Sequence, residues 1–324
     1  MKKSASSHVS IVVPVFNEAE SLQNFHQSLQ NTLTALPDYS FEILYVNDGS
    51  KDGSHSILET IAKTHPQVSI VTLSRNFGKE YALTAGIAQS QGNAIIMLDS
   101  DGQHPVELIG KFLNAWQAGS QVVTGVRGGK TSRPTIRSRL FYAFFNKLSG
   151  AEMIAGATDF RLIDREVQTA FLSLAENGRI TRGLIDWLGF EQTTLTYTQK
   201  KREFGKPTYS LGKLIQLAVH SFVSLSNTPL YVFGALGIII STLSGILGLT
   251  VIIEQLILGD PLTWDFTGTA MLGILIVFLI GIVLMSQGIL SLYISSIHRE
   301  SKHRPLYVIN RAKSHNLKGT PRGE

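Results

Sequence analysis

The stretch VSIVVPVFNEAESLQNFHQSLQNTLTAL, residues 9–36, joins an apolar run to an amphipathic run through a short polar turn. Its first part, residues 9–16, lacks regular alternation with polar residues, which is typical of a strand buried on both faces of a parallel sheet. Its second part predicts a helix, because apolar side chains recur on one helical stripe: Leu22, Phe25, Leu29, Leu33 and Leu36.

The same strand-and-helix unit recurs along the chain up to about residue 127. Apolar runs at 41–46, 69–73, 94–98 and 121–126 predict further strands, and the amphipathic stretch 106–116 predicts a further helix. Strands that alternate with helices predict an α/β, Rossmann-like domain with a mostly parallel, doubly wound sheet. Ligands bind at the carboxyl ends of the strands in such sheets, so the polar residues that follow the runs form the candidate site.

The composition excludes several classes of site. The chain of 324 residues contains no cysteine, which rules out disulfides, thiolate metal sites and cysteine nucleophiles and fits a reducing compartment. The net charge of +5 favours anionic lipid over nucleic acid as a partner. The N-terminus carries lysines but no cleavage site, so it predicts a first strand rather than a signal peptide.

Two long uncharged runs follow residue 226. A membrane span needs about 20 apolar residues, so these runs predict two transmembrane helices, at about 229–254 and 268–297. The link between them is acidic and lacks lysine and arginine, whereas both flanks are basic. The positive-inside rule therefore predicts a multi-pass membrane protein with both termini in the cytoplasm. A helix hairpin buried in a soluble protein is the alternative.

These features divide the chain into segments. Residues 1–208 form the predicted globular domain, and residues 299–324 form a basic cytoplasmic tail after the two spans of 229–298. Within the globular domain, residues 132–150 combine arginines with aromatic side chains, which indicates either a helix lying in the membrane interface or a core helix with solvated arginines. Residues 209–228 form a second segment of the interfacial, juxtamembrane kind.

The string IIMLDSDGQHP, residues 95–105, contains the strongest chemical signal. Its apolar strand delivers Asp99 and Asp101 to one side of the chain, because alternate residues of a strand face the same way. Mg²⁺ or Mn²⁺ prefers oxygen ligands and uses only one or two protein carboxylates when it also binds phosphate. Asp101 and the amide oxygen of Gln103 fit that demand. An aspartate turn that caps the helix opened by Pro105 is the alternative.

Two further strand ends contain polar turns that fit a nucleotide. VNDGSKDGS, residues 46–54, places Asp48 just after a strand, where its carboxylate can accept an N–H of a nucleobase. PVFNEAES, residues 14–21, offers Glu18 near the base or ribose. Either turn can also be purely structural, with Asn17 capping the first helix and Ser50 or Asp52 capping the second.

Two later strings add a carboxylate and a group of cations. TDFRLIDREV, residues 158–167, places Asp159 beside Arg161, an arrangement that is either catalytic or a structural ion pair. KREFGKPTY, residues 201–209, contains Arg202 and Lys206 in a basic loop, which either clamps phosphate or is a solvated charge run.

Taken together, five strings resemble the family-2 glycosyltransferases of GT-A fold. The strings are VSIVVPVFNEAESL, EILYVNDGSKDGS, LSRNFGKEYALTAG, IIMLDSDGQHP and TDFRLIDR. With the two-helix tail, they look like the polyprenyl-phosphate branch, which includes dolichol-phosphate mannose synthases and bacterial bactoprenol-phosphate glucosyltransferases. The resemblance implies a hexosyltransferase of the bacterial inner (plasma) membrane that transfers one sugar, with inversion at the anomeric carbon, to undecaprenyl phosphate. The first candidate for the donor is UDP-glucose, and the implied use of the product is cell-envelope glycan modification.

The resemblance also implies a cofactor, partners and site residues. It implies a divalent metal cofactor (Mg²⁺ or Mn²⁺), a nucleotide-sugar donor and a polyprenyl phosphate acceptor. It also implies association with a membrane and not with nucleic acid, and it allows a homo-oligomer. Asp159 falls where the family has its catalytic base, and the metal and diphosphate site falls on Asp99, Asp101 and Gln103. The implied nucleotide-sugar residues are Pro14, Glu18, Asp48, Arg75 and Asp99, and the implied phosphate-binding residues are Arg127, Arg139, Arg202 and Lys206. The family's Ser-Lys pair is replaced here by Pro207-Thr208, which puts the role of Lys206 in question.

A phosphate acceptor raises a question about the implied base. A phosphate monoester has a second pKa of about 6, so it is mostly dianionic at neutral pH and hardly needs a base. Asp159 is therefore expected to act through orientation, or through Arg161, at least as much as through proton removal. Two rival functions remain at this stage: a processive polysaccharide synthase of the same fold, which would need a Q-x-x-R-W motif that the chain lacks, and a non-catalytic scaffold that retains a nucleotide-sugar-binding shell.

Overall fold

The computed structural model describes residues 7–128, 156–174, 176, 178–198, 268–302 and 304–317, together with the single positions 239, 242, 243, 246 and 253. The chain divides into two compact units. The first unit comprises residues Met1–Asn146, Ala151–Thr208 and Arg304–Glu324, and the second comprises Lys147–Gly150 and Tyr209–His303.

The first unit alternates strands and helices along the chain. The strands are β1 (Ser7–Val15), β2 (Tyr39–Asn47), β3 (Val68–Thr72), β4 (Ala94–Met97), β5 (Val122–Gly128), β6 (Ala157–Asp164) and β7 (Gln192–Thr198). The helices are α1 (Ala19–Thr34), α2 (Ser54–Thr64), α3 (Lys79–Gln89), α4 (Ile109–Gln117), α5 (Arg165–Ser173) and α6 (Thr181–Trp187), with short 3-10 helices at Val106–Leu108 and Arg311–Lys313.

The strands form one mixed sheet in the order β3-β2-β1-β4-β6-β5-β7. Strands β1, β2, β3 and β4 are parallel to one another and β5 is parallel to β7, whereas β6 is antiparallel to both β4 and β5. The predicted mostly parallel α/β sheet is confirmed, and all five predicted strands are present. The sequence does not predict strands β6 and β7. In the case of β7 (QTTLTYT) the reason is that the strand is largely polar and partly exposed.

Helices cover both faces of the sheet, which explains why the central strands are apolar throughout. In β1, Val9, Ile11 and Val13 belong to the core beneath α1, α2 and α4, whereas Val12 belongs to the core beneath α3, α5 and α6. This division follows from the two-residue period of a strand. The predicted stripe of α1 is buried against the sheet, apart from Leu36, which lies beyond the end of the helix and is partly buried.

The C-terminal segment 304–317 returns to the first unit and pairs with the edge strand β3. It runs antiparallel to β3, through bridges between Leu73 and Ile309 and between Ile70 and His315. Tyr307, Ile309 and Leu317 pack on the core beneath α3. Part of the predicted basic tail is therefore a structural element of the first unit.

The second unit contributes one long described helix, α7 (Gly268–Ser301), which covers the second predicted span. A membrane-crossing helix needs about 20 apolar residues in one run. Taken over the residues that the structure describes, no helix is long and apolar enough to meet that requirement. This finding contradicts the predicted localisation, a multi-pass protein of the bacterial inner membrane with its catalytic domain and both termini in the cytoplasm. The predicted interfacial segments 132–150 and 209–228, and nearly all of the first predicted span, lie outside the described residues.

Candidate active site

The antiparallel pairing of β4 with β6 brings two of the predicted carboxylates together. The register pairs Met97 with Arg161, so two residues beyond the end of β4 it places Asp99 opposite Asp159. Asp99 thus lies just after a strand that ends at this edge of the sheet, and Asp159 lies near the start of a strand that leaves it. The reversal of β6 explains how residues 60 positions apart meet at one edge.

Lys79, the first residue of α3, lies between these two carboxylates. Its Nζ atom is 2.7 Å from Asp99 Oδ1 and 2.6 Å from Asp159 Oδ2. Although burial lowers the pKa of Lys79, the charges of Asp99 and Asp159 outweigh it and raise that pKa above its usual value. The site therefore contains a fixed ammonium group that holds two carboxylates in place.

The ammonium group also changes the acidity of Asp159. Burial would raise the pKa of this carboxyl, but Lys79 outweighs burial and holds the pKa below its usual range, with further contributions from Arg182 and Arg161. The direct partner of Asp159 is thus Lys79. Arg161, which the sequence places beside Asp159, lowers the pKa of Asp159, but its buried guanidinium makes two hydrogen bonds to Asp186, at 2.6 Å and 3.1 Å.

The loop after β4 is shaped by His104 and Gly102. The backbone N–H of Asp99 donates to His104 Nδ1 at 3.1 Å, and the imidazole stacks on Phe160 with ring centroids 5.3 Å apart. Burial lowers the pKa of His104, so the neutral imidazole is favoured. Gly102 has a φ of +72°, and past it the Gln103 N–H donates to Asp101 Oδ1 at 3.0 Å. The predicted metal residues thus share one tight, internally bonded turn.

The donor atoms of this turn fit a divalent cation in part. Among the described residues, no group of three or more histidine, cysteine, aspartate or glutamate side chains could hold a metal. Both carboxylate oxygens of Asp99 lie within 2.9 Å of Lys79 Nζ, so this side chain is already engaged. Asp101 and Gln103 offer the oxygen ligands that Mg²⁺ or Mn²⁺ prefers, and an ion there would take its remaining ligands from phosphate and water.

Asp48 connects β2 to the loop that ends in Lys79. Its carboxylate accepts hydrogen bonds from the backbone N–H groups of Phe77 and Gly78, at 2.7 Å and 2.9 Å, and the residue is 2% exposed. Burial raises the pKa of Asp48, and these two hydrogen bonds partly offset that rise. Asp48 therefore positions the start of α3, and its predicted contact with a nucleobase would come in addition to that structural role.

Hydrogen bonds join the loop after β1 to the loop after β2. The backbone N–H groups of Asn17, Glu18 and Ala19 donate to Ser50 Oγ, Ser54 Oγ and Asp52 Oδ2, at 3.1, 2.9 and 3.1 Å. The prediction that Asn17 caps α1 is wrong, because Glu18 occupies the cap position and Asn17 adopts a φ of +55°. The Ala19 N–H, the first of α1, is satisfied from the neighbouring loop instead, and the three hydrogen bonds tie the two loops together.

The other predicted site residues are dispersed around this edge. The Pro14 carbonyl accepts from Ser100 Oγ at 3.3 Å, and Glu18 Oε2 accepts from Ser21 Oγ at 2.9 Å. Arg75 is exposed and stacks over the Phe77 ring at 4.1 Å. Arg127 is exposed near the end of β5 and bonds to the Tyr197 hydroxyl. Arg139, Arg202 and Lys206 lie outside the described residues.

A cavity of about 540 Å³ opens beside these loops, at the carboxyl ends of β1, β2 and β3. Its cationic lining residues are Lys51, Arg75 and Lys313, and Phe16, which is 41% exposed, contributes an aromatic ring. Asparagines at positions 47, 76 and 310 add polar groups to the lining, which contains no aspartate or glutamate among the described residues. The cavity suits an anionic ligand that also has an aromatic or polar ring.

Reasoning from the sequence missed Lys79 and His104. Lys79 directly follows Gly78 at the start of the helix after the third strand, so it lies at the same edge as the other strand-end residues. The rule that ligands bind at carboxyl ends of strands would have selected it, had it been applied to cations as well as to carboxylates.

Comparisons with known proteins show which family the chain resembles. The model of the family described as Glycosyl transferase family 2 matches residues 10–167. A bactoprenol glucosyl transferase of Shigella phage SfV is 35% identical over 308 residues, covering 94% of this chain and 99% of that protein. An uncharacterized glycosyltransferase of Synechocystis sp. is 36% identical over 305 residues, covering 93% and 94%.

Solved structures give weaker similarities. Glucosyl-3-phosphoglycerate synthase from Mycobacterium tuberculosis aligns with 68% of this chain and 80% of its own, at 17% identity and a TM-score of 0.45. A similarity of that size supports no conclusion about activity. The sequence relatives, which match over nearly the whole chain, together with the family model over the strands that carry Asp48, Asp99 and Asp159, establish that this chain belongs to glycosyl transferase family 2 and is a glycosyltransferase.

Proposed function

We propose that this glycosyltransferase moves a single sugar from a nucleotide diphosphate-sugar onto a polyprenyl phosphate, with inversion at the anomeric carbon. The proposed acceptor is undecaprenyl phosphate, because relatives named bactoprenol glucosyl transferase match nearly the whole chain. For the same reason UDP-glucose is the first donor to test. The product would be a polyprenyl-phosphate sugar used in modification of cell-envelope glycans.

The pairing of Asp99 and Asp159 through Lys79 is the observation that supports this proposal most. A phosphate acceptor is an anion, and two unpaired carboxylates at the reaction centre would repel it. The ammonium group of Lys79 offsets part of that negative charge while it fixes both carboxylates. Such a preorganised arrangement lowers the cost of bringing two anionic substrates together.

In the proposed step, an oxygen of the acceptor phosphate bonds to the anomeric carbon as the bond from that carbon to the donor diphosphate breaks. The bonding electron pair leaves with the nucleoside diphosphate. No proton has to move when the acceptor is a dianion, which dominates at neutral pH because its second pKa is about 6. Asp159, whose pKa is lowered by Lys79, is a poor proton acceptor, so its proposed role is to position the substrates.

A divalent cation, Mg²⁺ or Mn²⁺, is proposed to bind at Asp101 and Gln103. When bound, the ion supplies positive charge that stabilises the leaving diphosphate. Arg127, exposed near the end of β5, is proposed to bind phosphate. The same role is proposed from the family resemblance for Arg139, Arg202 and Lys206.

Purified protein incubated with UDP-glucose and undecaprenyl phosphate provides the direct test, read by the mass of the lipid product. We expect a mass gain of one hexose, loss of product in excess chelator, and loss in Asp101→Ala. Asp38→Asn, which changes an exposed acid in the turn before β2, is the matched control and should retain activity. Full activity in chelator, or in Asp101→Ala, would refute the metal-assisted transfer proposed here.

The same assay separates this proposal from its rivals. A processive polysaccharide synthase would add many sugars and give a ladder of masses rather than one hexose. A non-catalytic scaffold would bind donor without releasing nucleoside diphosphate in the presence of the acceptor. A panel of other nucleotide sugars then identifies the donor if UDP-glucose is not used.

A further inference from the structure

The C-terminal segment 304–317 is held against β3 by hydrogen bonds at several points along the strand. Thr72 alone makes three: its carbonyl accepts from the Asn310 N–H at 2.7 Å, its N–H donates to Ser314 Oγ at 3.0 Å, and its hydroxyl donates to the Lys313 carbonyl at 2.8 Å. Asn316 Nδ2 also donates to the Val68 carbonyl at 3.0 Å. The segment is therefore fixed along the edge of the sheet.

This docking brings two residues from the end of the chain to the cavity at the ends of β1, β2 and β3. Asn310 and Lys313 line that cavity, although they lie more than 230 positions beyond its other lining residues in the sequence. The short 3-10 helix Arg311–Lys313 sets their spacing, and the Asn310 side chain accepts from the Lys313 N–H at 3.3 Å. The hydrogen bonds that Lys313 makes to other described residues are made by its backbone, so within that part of the chain its ammonium group is not engaged.

The charges around the cavity indicate what would bind there. Lys313 adds a third cation to Lys51 and Arg75, and none of the described residues that line the cavity is acidic. Three cations in a partly enclosed space favour a ligand with more than one negative charge. The Phe16 ring, 41% exposed, adds a flat apolar surface on which a base can stack. A nucleoside diphosphate combines both properties.

We infer that residues 304–317 complete the donor site, with Lys313 binding the nucleoside diphosphate part of the donor. This inference rests on the proposed function, because that function supplies the nucleotide. It assigns a role in binding to a segment that lies outside residues 10–167, the part matched by the family model. Lys313 is thus a determinant of donor affinity that is contributed from the opposite end of the chain.

The test compares Lys313→Ala with Arg311→Ala in the full chain, using UDP and GDP as probes in calorimetric titrations. Both positions are exposed and basic and share the same short 3-10 helix, but only Lys313 lines the cavity. Loss of a charged hydrogen bond should weaken binding of the preferred nucleotide about tenfold in Lys313→Ala. Arg311→Ala should change it less than about twofold, because exposed charges off the site contribute little. Melting temperatures of both variants verify that the segment remains docked.

The outcomes distinguish this inference from the proposed function. If the unmodified protein binds neither UDP nor GDP and transfers no sugar, the proposed function fails. If it binds and transfers, and Lys313→Ala binds as tightly as the unmodified protein, the inference alone is overturned. Equal weakening in both variants would also overturn it, because a general loss of charge would then explain the effect.

Discussion

Lys79 is the residue on which the geometry of the site depends most. Replacing it with methionine keeps the length of the side chain but leaves Asp99 and Asp159 facing each other without a cation. We expect the free energy of unfolding to fall by about 1–2 kcal/mol, less than for a fully buried pair because the site is partly open to water. Chemical denaturation at neutral pH measures this change.

A double-mutant cycle supplies the control for Lys79. In Asp159→Asn the negative charge next to Asp99 is removed, so adding Lys79→Met in that background should cost less stability than it does in the unmodified protein. Strictly additive effects of the two substitutions would show that Lys79 and Asp159 do not interact, contrary to the 2.6 Å contact.

Asp159 can be tested as a base through its pH dependence. If it positions substrates, the residual activity of Asp159→Asn should rise with pH around pH 6, as the acceptor phosphate becomes a dianion. The unmodified enzyme should show the same rise, because Asp159 has a lowered pKa and stays ionised across that range. The measurement is the rate at saturating donor between pH 5 and pH 8, which extends roughly one unit below and two units above the pKa of the acceptor phosphate. A flat profile in the unmodified enzyme, with a rise only in Asp159→Asn, would favour proton removal by Asp159 instead, because a base lets the monoanionic acceptor react as well.

Individual site residues were only partly predictable from the sequence. Asp99 and Asp101 were found because they follow an apolar strand directly. The partner of Asp159 was not, because a sequence cannot show that β6 runs antiparallel and turns Asp159 toward α3 while Arg161 is buried against Asp186. Their closeness in the sequence suggested that Asp159 pairs with Arg161, whereas in the fold Asp159 pairs with Lys79 and Arg161 pairs with Asp186.

Among the connections between elements, the loop after β2 tolerates little change at Gly49. Gly49 has a φ of +68°, and a Cβ atom there would lie 2.6 Å from the Arg75 carbonyl carbon and 2.7 Å from the Asn76 nitrogen. Gly49→Ala should therefore cost about 3 kcal/mol, from backbone strain together with overpacking, and should weaken nucleotide binding because Arg75 and Asn76 line the cavity. Chemical denaturation and a UDP titration measure the two effects.

Gly189 offers a matched control for Gly49. It has a φ of +70°, and a Cβ atom there would meet nothing within 4 Å. Gly189→Ala should cost only about 1 kcal/mol, from strain alone, and should leave nucleotide binding unchanged. Equal losses in the two variants would mean that the close approach to Arg75 has no energetic consequence.

At the level of elements, the apolar strands were predictable and the mixed ones were not. Strands β1 to β4 are buried on both faces, so their composition alone marks them. Strand β7 lies at an edge of the sheet, and most of its side chains are partly or fully exposed. Its sequence is therefore polar and resembles that of a loop. The segment 304–317 pairs through backbone groups and single polar side chains, and such pairing leaves no periodic pattern to read.

The stability of the whole molecule should depend on pH through His26, which lies on the buried face of α1. Burial lowers its pKa from 6.5 to about 4, with a further contribution from His65. Between these values the unfolded chain binds more protons than the folded one, so stability falls as the pH drops from 6.5 toward 4. The loss at pH 4 relative to pH 7 should approach roughly 3 kcal/mol, and denaturation at a series of pH values measures it.

Variants isolate the contribution of His26 from that of the carboxyl groups. His26→Asn removes the titrating ring and keeps an acceptor for the Tyr45 hydroxyl, which lies 2.9 Å from His26 Nδ1. Its stability should vary less between pH 7 and pH 4 than that of the unmodified protein. Asn24→Ala, at an exposed residue of the same helix that does not titrate, should retain the full dependence. An unaltered profile in His26→Asn would assign the acid sensitivity to other groups.

The docking of residues 304–317 on β3 has a practical consequence for work on the catalytic unit. Both ends of the intervening stretch 209–303 connect to the same unit. Truncating the protein after residue 208 would therefore remove the segment that pairs with the edge strand β3. An exposed edge strand can pair with the same strand of another molecule, so the truncated protein should form soluble aggregates or precipitate. Joining residue 208 to residue 304 through a flexible glycine–serine bridge should instead yield a monodisperse enzyme by light scattering.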